Sequence, residues 1–188
     1  MQLKTNKPLY KAINGTLKVF MKRIIIIGCP GSGKSTLGKK LAKILNLPLV
    51  HLDQLFWREN WISIPNEEFD ALLLCELKKD KWILDGNFHR TLDLRLDYCD
   101  TVILLNYPTP VCYFRVIKRV IANAGKTRSD MTEGCPERFD REFLKYVLSF
   151  KKKKLPKIKE TLAKRKEVNL IEIKSDYALK KFLKSLNK

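Results

Sequence analysis

From residue 21 onward, short apolar runs alternate with stretches of helical period. The run RIIIIG at 23–28 is β-branched and stopped by glycine, the pattern of a parallel strand buried on both faces. Further apolar runs predict strands over 47–53, 82–86, 101–106 and 169–174. Between them, Leu37, Leu41, Ile44 and Leu45 recur at helical spacing, as do Phe69, Leu72, Leu73 and Leu77 after Pro65. Thr109-Pro110 offers an N-cap and a first-turn proline for a helix reaching about Asn123. Phe139, Phe143, Tyr146, Val147 and Phe150 mark another helix, and Leu179, Phe182, Leu183 and Leu186 a last one. Strands alternating with helices predict an α/β fold with a parallel sheet covered on both faces, since each parallel pair needs a crossover. Residues 1–20 show no period and read as a basic N-terminal extension preceding one domain over 21–188.

The composition of the 188 residues, 45% hydrophobic and 31% charged, is that of an ordinary globular domain and excludes a disordered chain. No apolar run approaches the roughly 20 residues needed to span a bilayer. Cys29, Cys75, Cys99, Cys112 and Cys135 lack the spacing of a zinc site or disulfide framework, so they read as free thiols in a reducing cytoplasm. The formal charge of +18 makes anions the natural partners. Residues 151–188 hold 14 basic and 4 acidic side chains, residues 1–20 four lysines and no acid, so most of the excess is peripheral. Such lysine-rich segments read first as solvated helix faces and second as a nucleic-acid surface.

The sharpest chemical signal is Gly28-Cys29-Pro30-Gly31-Ser32-Gly33-Lys34-Ser35-Thr36, a GxxxxGK[ST] match directly after a buried strand and before an amphipathic helix. This is the context of a P-loop. Its glycines let the backbone approach phosphate oxygens, Lys34 neutralises them, and Ser35 is placed to ligate Mg²⁺. No NKxD-type base-recognition sequence occurs, and the chain is short for an ATPase motor, so a small-molecule kinase that uses ATP follows.

Four segments taken in order, GCPGSGKST, HLDQLFW, ILDGNFHRTLDLR and GKTRSDMTEGCPE, resemble the adenylate kinase-like P-loop proteins of the DNA topology modulation (FlaR-related) group over about residues 21–187. The resemblance implies a three-layer P-loop NTPase fold, nucleoside monophosphate kinase-like, with strand order 2-3-1-4-5, an ATP site and a lid over about 122–136. Asp85 resembles the start of the adenylate kinase DGxPR segment and suits an Mg²⁺-bound water. Asn87-Phe88-His89 departs from that pattern and shifts Arg90 by one residue, which weighs against AMP as acceptor.

Asp53 closes the second predicted strand, where small-metabolite kinases of this fold place a carboxylate on the acceptor hydroxyl; the resemblance thus implies an orienting group or general base, with helix capping as the competing role. Arg58 and Arg90 are candidates for an acceptor anion, and the tryptophans of LFWRENW for stacking a base or lining an apolar site. Arg95 is a further candidate for that anion, with pairing to Asp93 or Asp97 as the competing role, and His51 is expected to be a satisfied buried histidine. Arg115, Lys118, Arg119 and Ala122 fall within about 100° of arc on one helix, followed by the Gly125–Gly134 segment. Arg119 and Arg128 are therefore expected as lid arginines, supported by Arg115, that stabilise charge on a transferring phosphoryl group. A nucleotide-binding, DNA-associated regulator using the basic 151–188 region is the alternative function.

Overall fold

A computed structural model describes residues 21–186; the basic extension 1–20 lies outside the described residues. Five parallel strands form the main sheet: β1 (Arg23–Gly28), β2 (Leu49–His51), β5 (Trp82–Asp85), β6 (Thr101–Leu105) and β7 (Asn169–Ile173), in the order β2-β5-β1-β6-β7. Counting sheet strands alone, this is the expected order 2-3-1-4-5. β5 and β6 are buried at every position, as is β1 after Arg23. Each of the isoleucines 24–27 contributes roughly 1.5–3 kcal/mol by leaving water.

The helices are α1 (Lys34–Leu45), α2 (Leu52–Phe56), α3 (Asn66–Leu77), α4 (Leu92–Tyr98), α5 (Thr109–Ala122), α6 (Arg141–Lys153), α7 (Leu155–Ala163) and α8 (Asp176–Leu186). α5 starts one residue earlier than predicted, with Pro108 rather than Thr109 at the N-cap. Asp140 begins α6, its carboxylate accepting from the Phe143 amide at 3.0 Å. The second strand is shorter than predicted because the chain turns into α2 at Leu52. Asp53 therefore stands in the first turn of a helix rather than at a strand end.

The short helices α2 and α4, the helix α7 and a two-stranded hairpin escaped the sequence reading. α7 buries Leu155, Ile158 and Leu162, a helical spacing submerged in a lysine run. The hairpin β3 (Trp57–Arg58) and β4 (Ile62–Ser63) is too short to show a period. The lysines at 151–154 are the solvent side of α6 and its junction with α7, Lys159 pairs with Glu172 at 2.8 Å, and Arg165 pairs with Asp97 at 2.7 Å.

Arg95 corrects another expectation. It is wholly buried in α4, with its guanidinium spent on backbone carbonyls instead of open to an acceptor anion, and pairs with neither Asp93 nor Asp97. Its guanidinium donates to the carbonyls of Gly86 at 3.0 Å, Asn87 at 2.5 Å, Phe88 at 2.9 Å and Thr91 at 3.4 Å. Burial lowers its pKa to about 10. One side chain thus fixes the loop that follows Asp85. Arg95→Met is expected to lower stability by about 3 kcal/mol, since several buried carbonyls lose their donor at once; chemical denaturation measures it.

Candidate active site

The turn after β1 shows why its glycines are needed. A Cβ on Gly31, at φ +81°, would sit 2.3 Å from the Cys112 carbonyl oxygen of α5, so the loop packs directly on that helix. Gly33, at φ +94°, has nothing within 4 Å of such a Cβ and is the N-cap of α1. No side chain caps α1 and no acidic residue stands in its first turn. Its first amide groups and positive dipole end therefore face a cavity, the arrangement that binds phosphate.

That cavity has a volume of about 700 Å³. Pro30, Gly31, Gly33, Lys34, Ser35 and Thr36 border it, whereas Gly28 and Ser32 of the motif lie buried behind. The Gly28 amide donates to Asn87 Oδ1 at 3.1 Å, tying the loop to the segment after β5. Lys34 Nζ donates to the Gly28 carbonyl at 3.0 Å and so lies across the loop.

Asp85 sits at the end of β5, opposite Ile26 of β1 on one side and His51 of β2 on the other. Its Oδ2 is 2.9 Å from His51 Nδ1, while Oδ1 is buried with no hydrogen-bond partner. His51 is thus satisfied, as expected. Asp53 borders the cavity together with Asp85 and Lys34. Burial and the neighbouring charge of Asp85 push its pKa up to about 6, against the opposing pull of Lys34 and Arg128. The capping role does not apply, because His51 is the N-cap of α2.

Arg119 and Arg128 both border the cavity, the first from α5 and the second from the α5–α6 connection. Arg119 Nη2 lies 3.0 Å from Glu137 Oε1, and Arg128 Nε 2.9 Å from Glu137 Oε2. Arg128 Nη1 also reaches Asp130 at 3.3 Å. Asp130 in turn faces the Ser35 hydroxyl; burial would raise its pKa, but Arg128 and that hydroxyl outweigh it and the net shift is downward. Arg115 reaches the cavity edge but pairs with Asp176 at 2.7 Å.

The α5–α6 connection rests on α2 and the hairpin. Thr132 Oγ1 donates to the Trp57 carbonyl at 2.7 Å, and Trp61 Nε1 donates to the Pro136 carbonyl at 3.2 Å. Trp57 and Trp61 meet edge to face at 5.7 Å and line the cavity, with the Arg138 guanidinium 5.4 Å above the Trp61 ring. Aromatic side chains from α6, Phe143 and Tyr146, complete that wall.

Two expected site residues are placed elsewhere. Arg58 is exposed and bound to Glu68, and Arg90 makes a two-pronged pair with Asp70 at 2.8 and 2.6 Å. Both partners belong to α3, and neither arginine borders the cavity. Sequence spacing placed them near the acceptor side, but the acidic edge of α3 holds their guanidinium groups away. Glu137, Asp130 and Arg138, which do border the cavity, went unassigned in the sequence reading. The only signal for them was their place within the GKTRSDMTEGCPER stretch.

Against known proteins, a family model for shikimate kinase matches residues 30–67, which run from the P-loop through Asp53 and the hairpin to the start of α3. The chain is 54% identical over 33 residues to shikimate kinase of Corynebacterium jeikeium (strain K411), covering 18% of each chain. It is 66% identical over 32 residues to shikimate kinase of Chlamydia pneumoniae, covering 17% of this chain and 18% of that one. The matched stretch thus spans about 18% of the length of these curated relatives. Among solved structures, a gluconokinase from Sinorhizobium meliloti 1021 superposes with a TM-score of 0.52 at 17% identity, covering 89% of this chain and 90% of that one. A shikimate kinase from Acinetobacter baumannii, in complex with shikimate, gives a TM-score of 0.53 at 18% identity over 86% and 91%. The fold is therefore that of small P-loop kinases.

Proposed function

We propose that this protein is an ATP-dependent phosphotransferase acting on a hydroxyl of a small acceptor. The observation that carries the reading is one cavity bordered both by the uncapped start of α1 with Lys34 and Ser35 and by a carboxylate, Asp53, held near pKa 6. Phosphoryl transfer needs little covalent chemistry from the protein, and positioning plus charge stabilisation supply most of the rate. Lys34 and the α1 amides hold the ATP phosphates. Asp53 orients the acceptor hydroxyl and takes its proton as the oxygen–phosphorus bond forms and the bond from the γ-phosphorus to the ADP oxygen breaks. Arg119 and Arg128 meet the charge spread over the γ-phosphoryl oxygens.

The residues fit a magnesium ion. Asp85 Oδ1 is buried and unpartnered beside the cavity, and Ser35 supplies the hydroxyl of the motif. Among the described residues no group of three or more His, Cys, Asp or Glu side chains forms a closed metal site. Mg²⁺ would accordingly take its remaining ligands from phosphate and water, and when bound it offsets phosphate charge. The finer resemblance to the DNA topology modulation group rests on the GKTRSDMTEGCPE stretch, which supplies Arg128, Asp130 and Glu137. The division into an extension over 1–20 and one kinase domain, with a lid at about 122–136, belongs to the same reading. All five thiols are free, which fits a reducing compartment such as the cytoplasm.

ADP formation from Mg·ATP, screened against hydroxyl acids such as shikimate and gluconate, nucleosides, and nucleoside monophosphates, tests this reading. Acceptor-dependent ADP release is expected with one chemical class, and a flat response across the panel counts against it.

A further inference from the structure

Glu137 is a buried carboxylate, 7% exposed, at the edge of the cavity assigned above to the ATP phosphates. A lone buried carboxylate there would repel an anionic ligand. It is not alone, because each of its two oxygens takes one arginine: Oε1 takes Arg119 Nη2 at 3.0 Å and Oε2 takes Arg128 Nε at 2.9 Å. The two guanidinium groups come from different elements, one from α5 and one from the α5–α6 connection. Without a shared anion their like charges would push them apart, and the electrostatic influence of Arg128 on Arg119 is in that direction.

The contacts are single-pronged. Each guanidinium carries five N–H donors in a planar fork. Glu137 occupies one nitrogen of each. Arg119 Nε is buried with no partner, and Arg128 meets only Asp130 besides. Arg119 Nη1 and Arg128 Nη2, on two residues that border the cavity, are not engaged by these carboxylates and are the donors left for a phosphoryl group. The carboxylate is itself held in place by its own backbone: the Glu137 amide donates to the Lys126 carbonyl at 2.9 Å, and its carbonyl accepts from the Gly125 amide at 3.1 Å. These bonds close the α5–α6 connection across its base, so the anchor does not drift with the loop.

We infer that Glu137 is a positioning residue that holds Arg119 and Arg128 side by side as one cationic unit facing the transferring phosphoryl group. The inference rests on the proposed role of those two arginines and goes beyond it, since it makes their joint action depend on a third side chain. Removing the charge of Glu137 should leave nucleotide binding at the P-loop nearly intact and weaken recognition of a charged γ-group in flight.

Binding of Mg·ADP, and of Mg·ADP with aluminium fluoride as a mimic of the transferring group, separates the two effects by calorimetry. Glu137→Gln is expected to bind Mg·ADP within about twofold of the parent and the fluoride complex at least about tenfold more weakly, as befits preorganised donors lost from a dry site. Glu137→Asp keeps the charge but is one methylene too short to reach both arginines, and an intermediate loss is expected. Glu137→Gln should weaken binding of the fluoride complex by less in an Arg128→Ala background than in the parent, because only the share acting through Arg119 is left to lose. Unaltered Mg·ADP binding by Glu137→Gln also shows that the variant is folded. If Glu137→Gln binds the fluoride complex like the parent while Arg128→Ala does not, the positioning role is wrong and the arginine assignment stands. If Arg128→Ala is silent too, both are wrong.

Discussion

Lys34→Ala should abolish acceptor-dependent ADP formation while leaving the protein folded. Lys34 is partly exposed, packs no core, and lies across the phosphate loop with its ammonium group on the Gly28 and Cys29 carbonyls. On the proposed role its loss removes a full positive charge from beside the β/γ-phosphates, and no other lysine of the loop can replace it. Effects of about 10³-fold or more on turnover are expected of such a group. Turnover of the variant against the parent, with thermal melting to check the fold, gives the answer; retention of more than about a tenth of parent turnover would exclude this lysine from the chemistry.

Asp53→Asn should lower kcat far more than it weakens ATP binding, because an amide cannot take the acceptor proton. The environment of Asp53 adds a pH signature. With burial and Asp85 holding its pKa at about 6, kcat/KM of the parent should rise as pH increases through about 6 and then level, an inflection the variant lacks. Stability should respond in the opposite sense. A carboxyl whose pKa is raised from the ordinary 3.8 to about 6 on folding favours the folded state while protonated, below about 4. That contribution is lost as pH rises through about 6. Asp53→Asn, which stays neutral, should therefore melt higher than the parent at pH 8 and near the parent at pH 4. A variant that melts lower at pH 8 and keeps its specific activity would remove Asp53 from the active site.

The parts of this molecule legible in the sequence are those set by local pattern. The isoleucine run of β1, the glycines and lysine of the loop, and the amphipathic spacing of α1 each report their structure over a few residues; alternation predicts a parallel sheet, while its strand order was implied only by the family resemblance. Site residues set by distant partners were harder to place. Arg58 and Arg90 carry the right charge in the right segment, yet Glu68 and Asp70 of α3 hold them, a pairing across 10 and 20 residues of chain. Arg95 had acidic neighbours at Asp93 and Asp97, but the helix turns it inward to the carbonyls after Asp85. Glu137 is the converse case. Nothing in its local sequence marks it as the meeting point of two arginines, because one comes from 18 residues upstream on another element.

The central claim, that this cavity moves the γ-phosphoryl of ATP onto a hydroxyl, is tested most directly by following that group. Wild-type protein incubated with Mg·ATP labelled at the γ-phosphorus and the acceptor panel should yield one labelled phosphate ester in proportion to ADP formed, with Lys34→Ala yielding none. Label that appears only as inorganic phosphate, whatever the acceptor, would contradict the account.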